Sequence, residues 1–381
     1  MDADLAILGG GPSGLACALR AADLGLSVLL CEAQPASLDR SGALDKPCGE
    51  GIMPEGCRVL DALSVPLMER RSFAGVRYRV VGAKPLELDF AEPGMACWRG
   101  DLLNALRKAA QQRSSIQEIR GRAECEQLPN GRHLVRVAGV AWTARWLAAA
   151  DGAAGSAAPW LRETSPSVRA KRKRRVGARA RFVERGELDR VEIHFGAGVD
   201  VYLTPLPRGA INVVVLSELD PRERRDAQSL IELGLRVHPA TRRHLGALLH
   251  RAESRALGLP RPRHLSDGDS FLLGDAGGAI DPILGAGIAV ALLSGVHAAE
   301  SAHARACGQT AAEVARRFAQ LGRSERRARD LLARGLRFAS RHDVFARTMV
   351  RMLRATPAIA STLGRVASGV GAGNPEFRIQ S

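Results

Sequence analysis

The chain has 381 residues, 46% hydrophobic and 25% charged, the composition of a globular protein with room for two or three sub-domains. Seven cysteines, odd in number and irregular in spacing, make no disulfide framework, and no Cys or His pairs stand at zinc spacing, which excludes a disulfide scaffold and a zinc site as organising features. The 55 basic against 40 acidic residues leave a formal charge of +15, which suits an anionic partner such as a nucleotide or a membrane surface, and equally a coding bias toward arginine.

Residues 3–8 form a short apolar run that predicts a strand, and the run ends in Gly9-Gly10-Gly11-Pro12-Ser13-Gly14. Leu15 to Leu24 follow as a small-residue amphipathic helix, so Gly9, Gly11 and Gly14 stand at the three glycine places of a dinucleotide-binding turn. The first glycine allows a turn that a side chain blocks, the second lets the backbone approach a pyrophosphate, and the third lets the helix pack on the strand. The amides of the helix start, at Ser13 and beyond, then point at phosphate. A second strand, Ser27 to Cys31, ends at Glu32, where a carboxylate takes ribose hydroxyls. A strand this close to Met1 leaves no room for a secretory leader, and no run reaches the ~18–20 apolar residues of a membrane span, so the expected location is the cytoplasm.

Gln34 to Cys48 is polar and irregular, long enough for a functional loop. It runs into the constrained turn Lys46-Pro47-Cys48-Gly49-Glu50-Gly51-Ile52-Met53-Pro54, followed by a helix over 55–63. Residues 73–90 alternate as a hairpin or two strands, and Cys97-Trp98-Arg99-Gly100-Asp101 opens a helix with Leu102, Leu103, Leu106 and Ala110 on one face. Residues 116–150 alternate again and end at Asp151-Gly152; a basic stretch then closes in the five residues 171–175. Strands are expected at about 176–183, 191–195, 199–204 and 210–217, and helices at about 224–236 and 239–250. A strand over 270–273 leads into Gly274-Asp275, a helix runs from Ile288 to Ala304, and the tail from Ala311 is helical and arginine-rich, with Phe338, Phe345, Met349, Met352 and Leu353 at helical spacings. No second glycine fingerprint follows a strand, so one nucleotide fold holds the only tightly bound dinucleotide.

Three stretches now agree: the first turn with Glu32, Asp151-Gly152, and the segment from Gly274-Asp275 through Asp281-Pro282 to Gly285-Ala286-Gly287-Ile288. With Cys48-Gly49, Ser294-Gly295 and Ala298-Ala299 they resemble the FAD-dependent aromatic hydroxylase (monooxygenase) superfamily, most closely its geranylgeranyl-reductase-like branch. The resemblance implies an α/β fold: a Rossmann-type (GR2-like) FAD-binding domain over 1–75, 95–162 and 263–310, an inserted β-sheet substrate domain over 76–94 and 163–262, and a helical C-terminal region over 311–381. It implies resident FAD and visiting NAD(P)H. Asp275 would bond the ribitol–pyrophosphate link, and Arg99 would neutralise phosphate or brace the flavin. Pro282, Gly285, Ala286, Gly287 and Ile288 would lie against the isoalloxazine, with helix amides favouring negative charge on it. Asp151-Gly152 resembles a second nucleotide fingerprint, and serves equally as a plain turn. In the substrate pocket Gly49, Tyr202, Thr204 and Pro207 are expected; Tyr202 and Pro207 match a Tyr-x-Trp-x-Phe-Pro signature, whereas Thr204 and Leu206 replace its Trp and Phe and leave a smaller wall.

The resemblance favours a monooxygenase that hydroxylates or epoxidises an apolar or aromatic small molecule of secondary metabolism through a flavin C4a-hydroperoxide, in a dry pocket that needs no catalytic dyad. The alternative is a reductase of C=C bonds in an isoprenoid or lipid, which gives Cys48 a role beside the flavin rather than that of a small buried thiol. A halogenase, the minor alternative, has Lys-x-Gly-Glu and Trp-x-Trp-x-Ile-Pro; here Lys46 is one residue out of register and the tryptophan motif is missing. The run 171–175 lacks aromatic interleaving and reads as a solvated edge, not a nucleic-acid site. The basic tail helices either pack on the second domain or also rest peripherally on an anionic membrane.

Overall fold

Leu5 to Leu8 and Val28 to Cys31 are apolar without alternation, the pattern of strands covered on both faces. They form β1 (Asp2–Leu8) and β2 (Val28–Glu32) in the computed structural model, which describes residues 2–33, 48–153, 155–162, 175–217, 226–257 and 264–369. The expected loop from Gln34 to Pro47, the basic residues 171–174 and the glycines beyond 369 lie outside the described residues.

β1 pairs in parallel with β2 and with β9 (Val140–Ala149); β2 pairs with β6 (Ile116–Arg120), and β15 (Ser270–Leu272) pairs with the end of β9. The result is a parallel Rossmann-type order, β6-β2-β1-β9-β15, from which the antiparallel strands β7 (Ala123–Gln127) and β8 (His133–Val137) extend along the first half of β9. Leu5, Ile7, Val28 and Leu30 face α1 (Pro12–Asp23), α3 (Arg99–Gln111) and α6 (Gly287–Ala306). Ala6, Leu8, Leu29 and Cys31 face Trp142, Val135 and Leu161, the last on the short helix α4 (Pro159–Arg162).

The second sheet has the order β14-β10-β13-β12-β11-β4-β5-β3. Its strands are β3 (Gly51–Ile52), β4 (Arg71–Arg79), β5 (Leu86–Ala96), β10 (Arg175–Glu184), β11 (Val191–His194), β12 (Val199–Leu206), β13 (Ala210–Ser217) and β14 (Leu245–Leu257). Ala178, Ala180, Val201, Leu203, Val213 and Val215 turn to one face and bury against α5 (Ala227–Val237). β3 and the first residues of β4 join this sheet ahead of the expected boundary at residue 76. The helix expected over 239–250 is instead a 3-10 turn, Pro239–His244, followed by β14. Leu245, Leu248 and Leu249 have helical spacing, but β14 is a bulged edge strand whose register on β10 shifts three times, and Leu248 and Leu249 are exposed.

The helix α2 (Pro54–Ala62) packs under α6. After α6 the chain turns into α7 (Ala311–Arg341), opened by a capping box between Thr310 and Glu313, then α8 (Asp343–Ala355) and α9 (Pro357–Ser368). Phe318 of α7 packs edge-on against Phe271 in the first half, while Leu336, Ala339, Ala346 and Val350 join the core under the second sheet. No helix among the described residues is long and apolar enough to cross a membrane.

Candidate functional site

The turn after β1 is set by backbone crowding. Gly9 has φ +115°, and a Cβ there would stand 2.5 Å from the Ala150 carbonyl oxygen; a Cβ on Gly14 would stand 1.9 Å from the Gly9 oxygen. Both places require glycine for the fold. At Gly11 nothing lies within 4 Å of the same point, and α1 begins there with no side chain capping its amides. The open space in front of Gly11 and the uncapped helix start make an amide-lined cradle of the kind that binds phosphate. Glu32, half-buried at the end of β2, accepts the Gly10 N–H at 2.7 Å, which holds its carboxylate beside the cradle.

The glycine turn near residue 275 reaches the same place. Gly274 (φ +52°) sits so close to Ser13 that a Cβ would meet its Oγ at 2.9 Å, and the Gly274 N–H donates to Ser294 Oγ at 2.9 Å. α6 crosses α1 at Gly295, where a Cβ would stand 2.2 Å from the Ser13 oxygen. Asp275 is thereby brought, half-buried, next to the start of α1. A further 3-10 turn, Pro282–Leu284, ends at Gly285 in the left-handed region (φ +65°) and feeds Ala286, Gly287 and Ile288 into α6, whose first amides also lack a side-chain cap. Pro282 is half-buried and Gly287 exposed, so the accessible part of this turn carries little side chain, while Met53 covers Gly285. Asp281 accepts the Ile283 N–H at 3.1 Å and pairs with Arg337 of α7 at 3.3 Å, which fixes the turn from behind.

Arg99 stands half-buried at the first position of α3, and its N–H donates to Glu50 Oε1 at 2.9 Å. Asp151 accepts the Ala157 N–H at 2.8 Å, so its carboxylate closes a local turn after β9.

The inner face of the second sheet forms the opposite wall. Tyr202 and Thr204 lie on it, both buried, and Thr204 Cγ2 is 3.7 Å from the position of a Gly51 Cβ. Tyr202 and Leu206 belong to the same core as Ile280, Ile283, Leu284 and Ala286, which sets this wall directly against the Pro282–Gly287 turn. Pro207 lies in the β12–β13 turn, beyond the last pair of the wall, Leu206 with Ala210. Cys48 is half-buried and Gly49 exposed; the Glu50 N–H reaches Cys48 Sγ at 3.4 Å, so the sulfur closes its own loop.

The sequence reading missed the polar part of this wall. Arg181, Asn212 and Thr204 are cross-strand neighbours on β10, β13 and β12. Arg181, 2% exposed, grips both oxygens of Glu50, with Nε to Oε2 at 3.0 Å, and its guanidinium lies 4.6 Å over the Trp98 ring. Arg179 pairs with Glu253 at 2.7 Å and stands 3.9 Å from Glu50. Asn212, fully buried, donates Nδ2 to the Cys48 carbonyl at 2.8 Å, leaving its Oδ1 and the Trp98 Nε1 buried without a partner. Beside its apolar residues the wall therefore carries a buried polar row, Arg181, Asn212 and Thr204. The signal was present in β10, where Arg179 and Arg181 alternate with apolar residues and so share a face.

Residues 4–46 match the FAD binding domain family. No curated protein matches the chain. Among solved structures it is similar to the flavin-dependent brominase Bmp2 (17% identity, 97% of this chain and 94% of that one, TM-score 0.81). It is also similar to PqsL of Pseudomonas aeruginosa, described as a probable FAD-dependent monooxygenase (15% identity, 92% and 99%, TM-score 0.73). A geranylgeranyl bacteriochlorophyll reductase-like protein of Thermoplasma acidophilum aligns over 98% of this chain and 94% of its own, at 19% identity and TM-score 0.71.

Proposed function

We propose, for a chain with the fold of the FAD-dependent monooxygenases and their geranylgeranyl-reductase-like relatives, that it is an FAD-dependent oxidoreductase and, within that class, a monooxygenase using NAD(P)H. The observation that supports it most is the meeting of two glycine turns, some 260 residues apart, on Ser13, beneath a wall that carries hydrogen-bonding groups. FAD, when bound, supplies hydride acceptance and oxygen activation; the protein supplies position, charge and dryness.

The Gly11 cradle and the α1 amides would take the pyrophosphate, Glu32 the ribose, and Asp275 the ribitol–pyrophosphate link. The uncapped α6 amides at Gly287 would favour negative charge on the isoalloxazine. Across from it, the Glu50–Arg181 pair ties the Cys48–Gly51 loop to β10 and keeps water from the pocket. Asn212, fully buried, adds to this fastening by donating Nδ2 to the Cys48 carbonyl at 2.8 Å. Thr204 and Leu206, standing where the reductase signature has Trp and Phe, favour hydroxylation or epoxidation of an aromatic or otherwise apolar small molecule over saturation of an isoprenoid chain.

The test is to purify the protein, release its flavin by denaturation, and follow NADH and NADPH oxidation with and without air across a panel of hydroxyarenes and N-heteroarenes. Expected are FAD in the supernatant and oxygen uptake that rises with one of these compounds. Anaerobic turnover of a prenyl alkene, or product formed only with added bromide or chloride, overturns the monooxygenase. Colourless protein that fails to take up FAD overturns the whole reading.

A further inference from the structure

The helices α7 to α9 have two unlike faces. The inner one is buried in both cores. On the outer one Leu331, Phe338, Phe345 and Met352 recur every seven residues and are 73%, 49%, 45% and 64% exposed, with Val344 beside them at 73%. Helix α7 ends between the second and third of these residues. The stripe nevertheless continues, because the Phe338 and Phe345 rings meet edge to face at 4.9 Å across the corner, with the His342 ring 4.5 Å from Phe338. Bulky apolar side chains in this number are not left in water without a reason.

The surroundings of the stripe are basic. Arg327, Arg334, Arg351 and Arg354 are all exposed on the same helices, and the span 331–369 holds seven arginines against one acidic residue, Asp343. A second copy of the chain would bring two such basic fields together, which opposes self-association. An anionic lipid surface satisfies both parts at once: the apolar tips enter the acyl boundary while the arginine stems reach along it and set their guanidinium groups among phosphates.

We propose that the outer face of α7 and α8, centred on Phe338 and Phe345, docks peripherally on an anionic lipid bilayer. The proposal is independent of the reaction catalysed. It also has a geometric corollary: Ser340, on the inner side of the same helix, donates to Asp200 of β12 at 2.5 Å, so docking holds the substrate sheet, rather than the nucleotide sheet, near the membrane.

The experiment is co-sedimentation of the full chain with vesicles of phosphatidylcholine alone and of phosphatidylcholine mixed with phosphatidylglycerol, at low and high salt. Expected is binding to the mixed vesicles that high salt weakens and that Phe338→Ser with Phe345→Ser reduces by about tenfold or more, while flavin content stays unchanged. Arg334→Gln with Arg351→Gln, a purely surface pair, is expected to lower binding and flatten its salt dependence, and serves if the phenylalanine variant does not fold. No binding at low salt, or binding that survives both variants, overturns the proposal. So does a dimer in sedimentation velocity that the phenylalanine variant converts to monomer, because the stripe then belongs to a second copy.

Discussion

Three glycines in one turn have three different neighbours, and the difference predicts three different mutants. A methyl group on Gly14 runs into the Gly9 oxygen, and one on Gly9 into Ala150, whereas one on Gly11 meets open space. Gly14→Ala should therefore lose about 3 kcal/mol of stability or fail to fold, the cost of overpacking against backbone. Gly11→Ala should melt as the parent does when both are free of flavin, yet bind FAD about tenfold or more weakly. Thermal melts and flavin titration of the two variants decide it; equal FAD affinity in Gly11→Ala would remove the cradle from the site. At this scale the sequence was informative because the turn is local: the glycines, Ser13 and Glu32 lie within 24 residues. Asn212, Glu50 and Arg181 were not legible as a group, since Arg181 reaches Glu50 across 131 residues and only the sheet register unites them.

At the scale of elements, Glu50 joins three: it accepts the Arg99 N–H at the start of α3, grips Arg181 on β10, and belongs to the loop that leads into β3. Both charges are buried, so removing one leaves the other stranded. Glu50→Gln is expected to cost about 3 kcal/mol or more in urea unfolding, and Glu50→Gln with Arg181→Met to recover a good part of it. If the single change costs under about 1 kcal/mol, the pair is not what fastens the loop to the wall. The misread segment 239–250 belongs to the same scale. Its leucines fit a helix, and pairing with β10, 61 to 82 residues upstream in the chain, overrode that preference.

At the scale of the molecule, buried histidines set the response to acid. Burial depresses the pKa of His133, His194 and His238 below the ordinary value near 6.5, although Glu192 opposes this at His194 from 3.1 Å. Burial also resists ionisation of Glu192 itself, but bonds from His194, His244, Arg79 and Arg77 outweigh it and hold the carboxyl far below the usual carboxylate range. The signs agree. Below about pH 6.5 the unfolded chain binds protons that the native histidines refuse, so stability falls with pH, by up to about 1.4 kcal/mol per histidine per unit. Glu192 adds its own loss at lower pH still. The melting temperature should drop by about 4 °C or more between pH 7 and pH 5; a flat profile in calorimetry would count against buried neutral imidazoles.

The helix α7 has one more implication. It starts against Phe271 in the nucleotide half, gives Arg326 to the Gly278 carbonyl and Arg329 to Glu55, and ends with Ser340 on Asp200 in the opposite sheet. It is a splint laid across a book. Swinging the two halves apart would have to break those attachments together, which favours one fixed spacing between the two sheets.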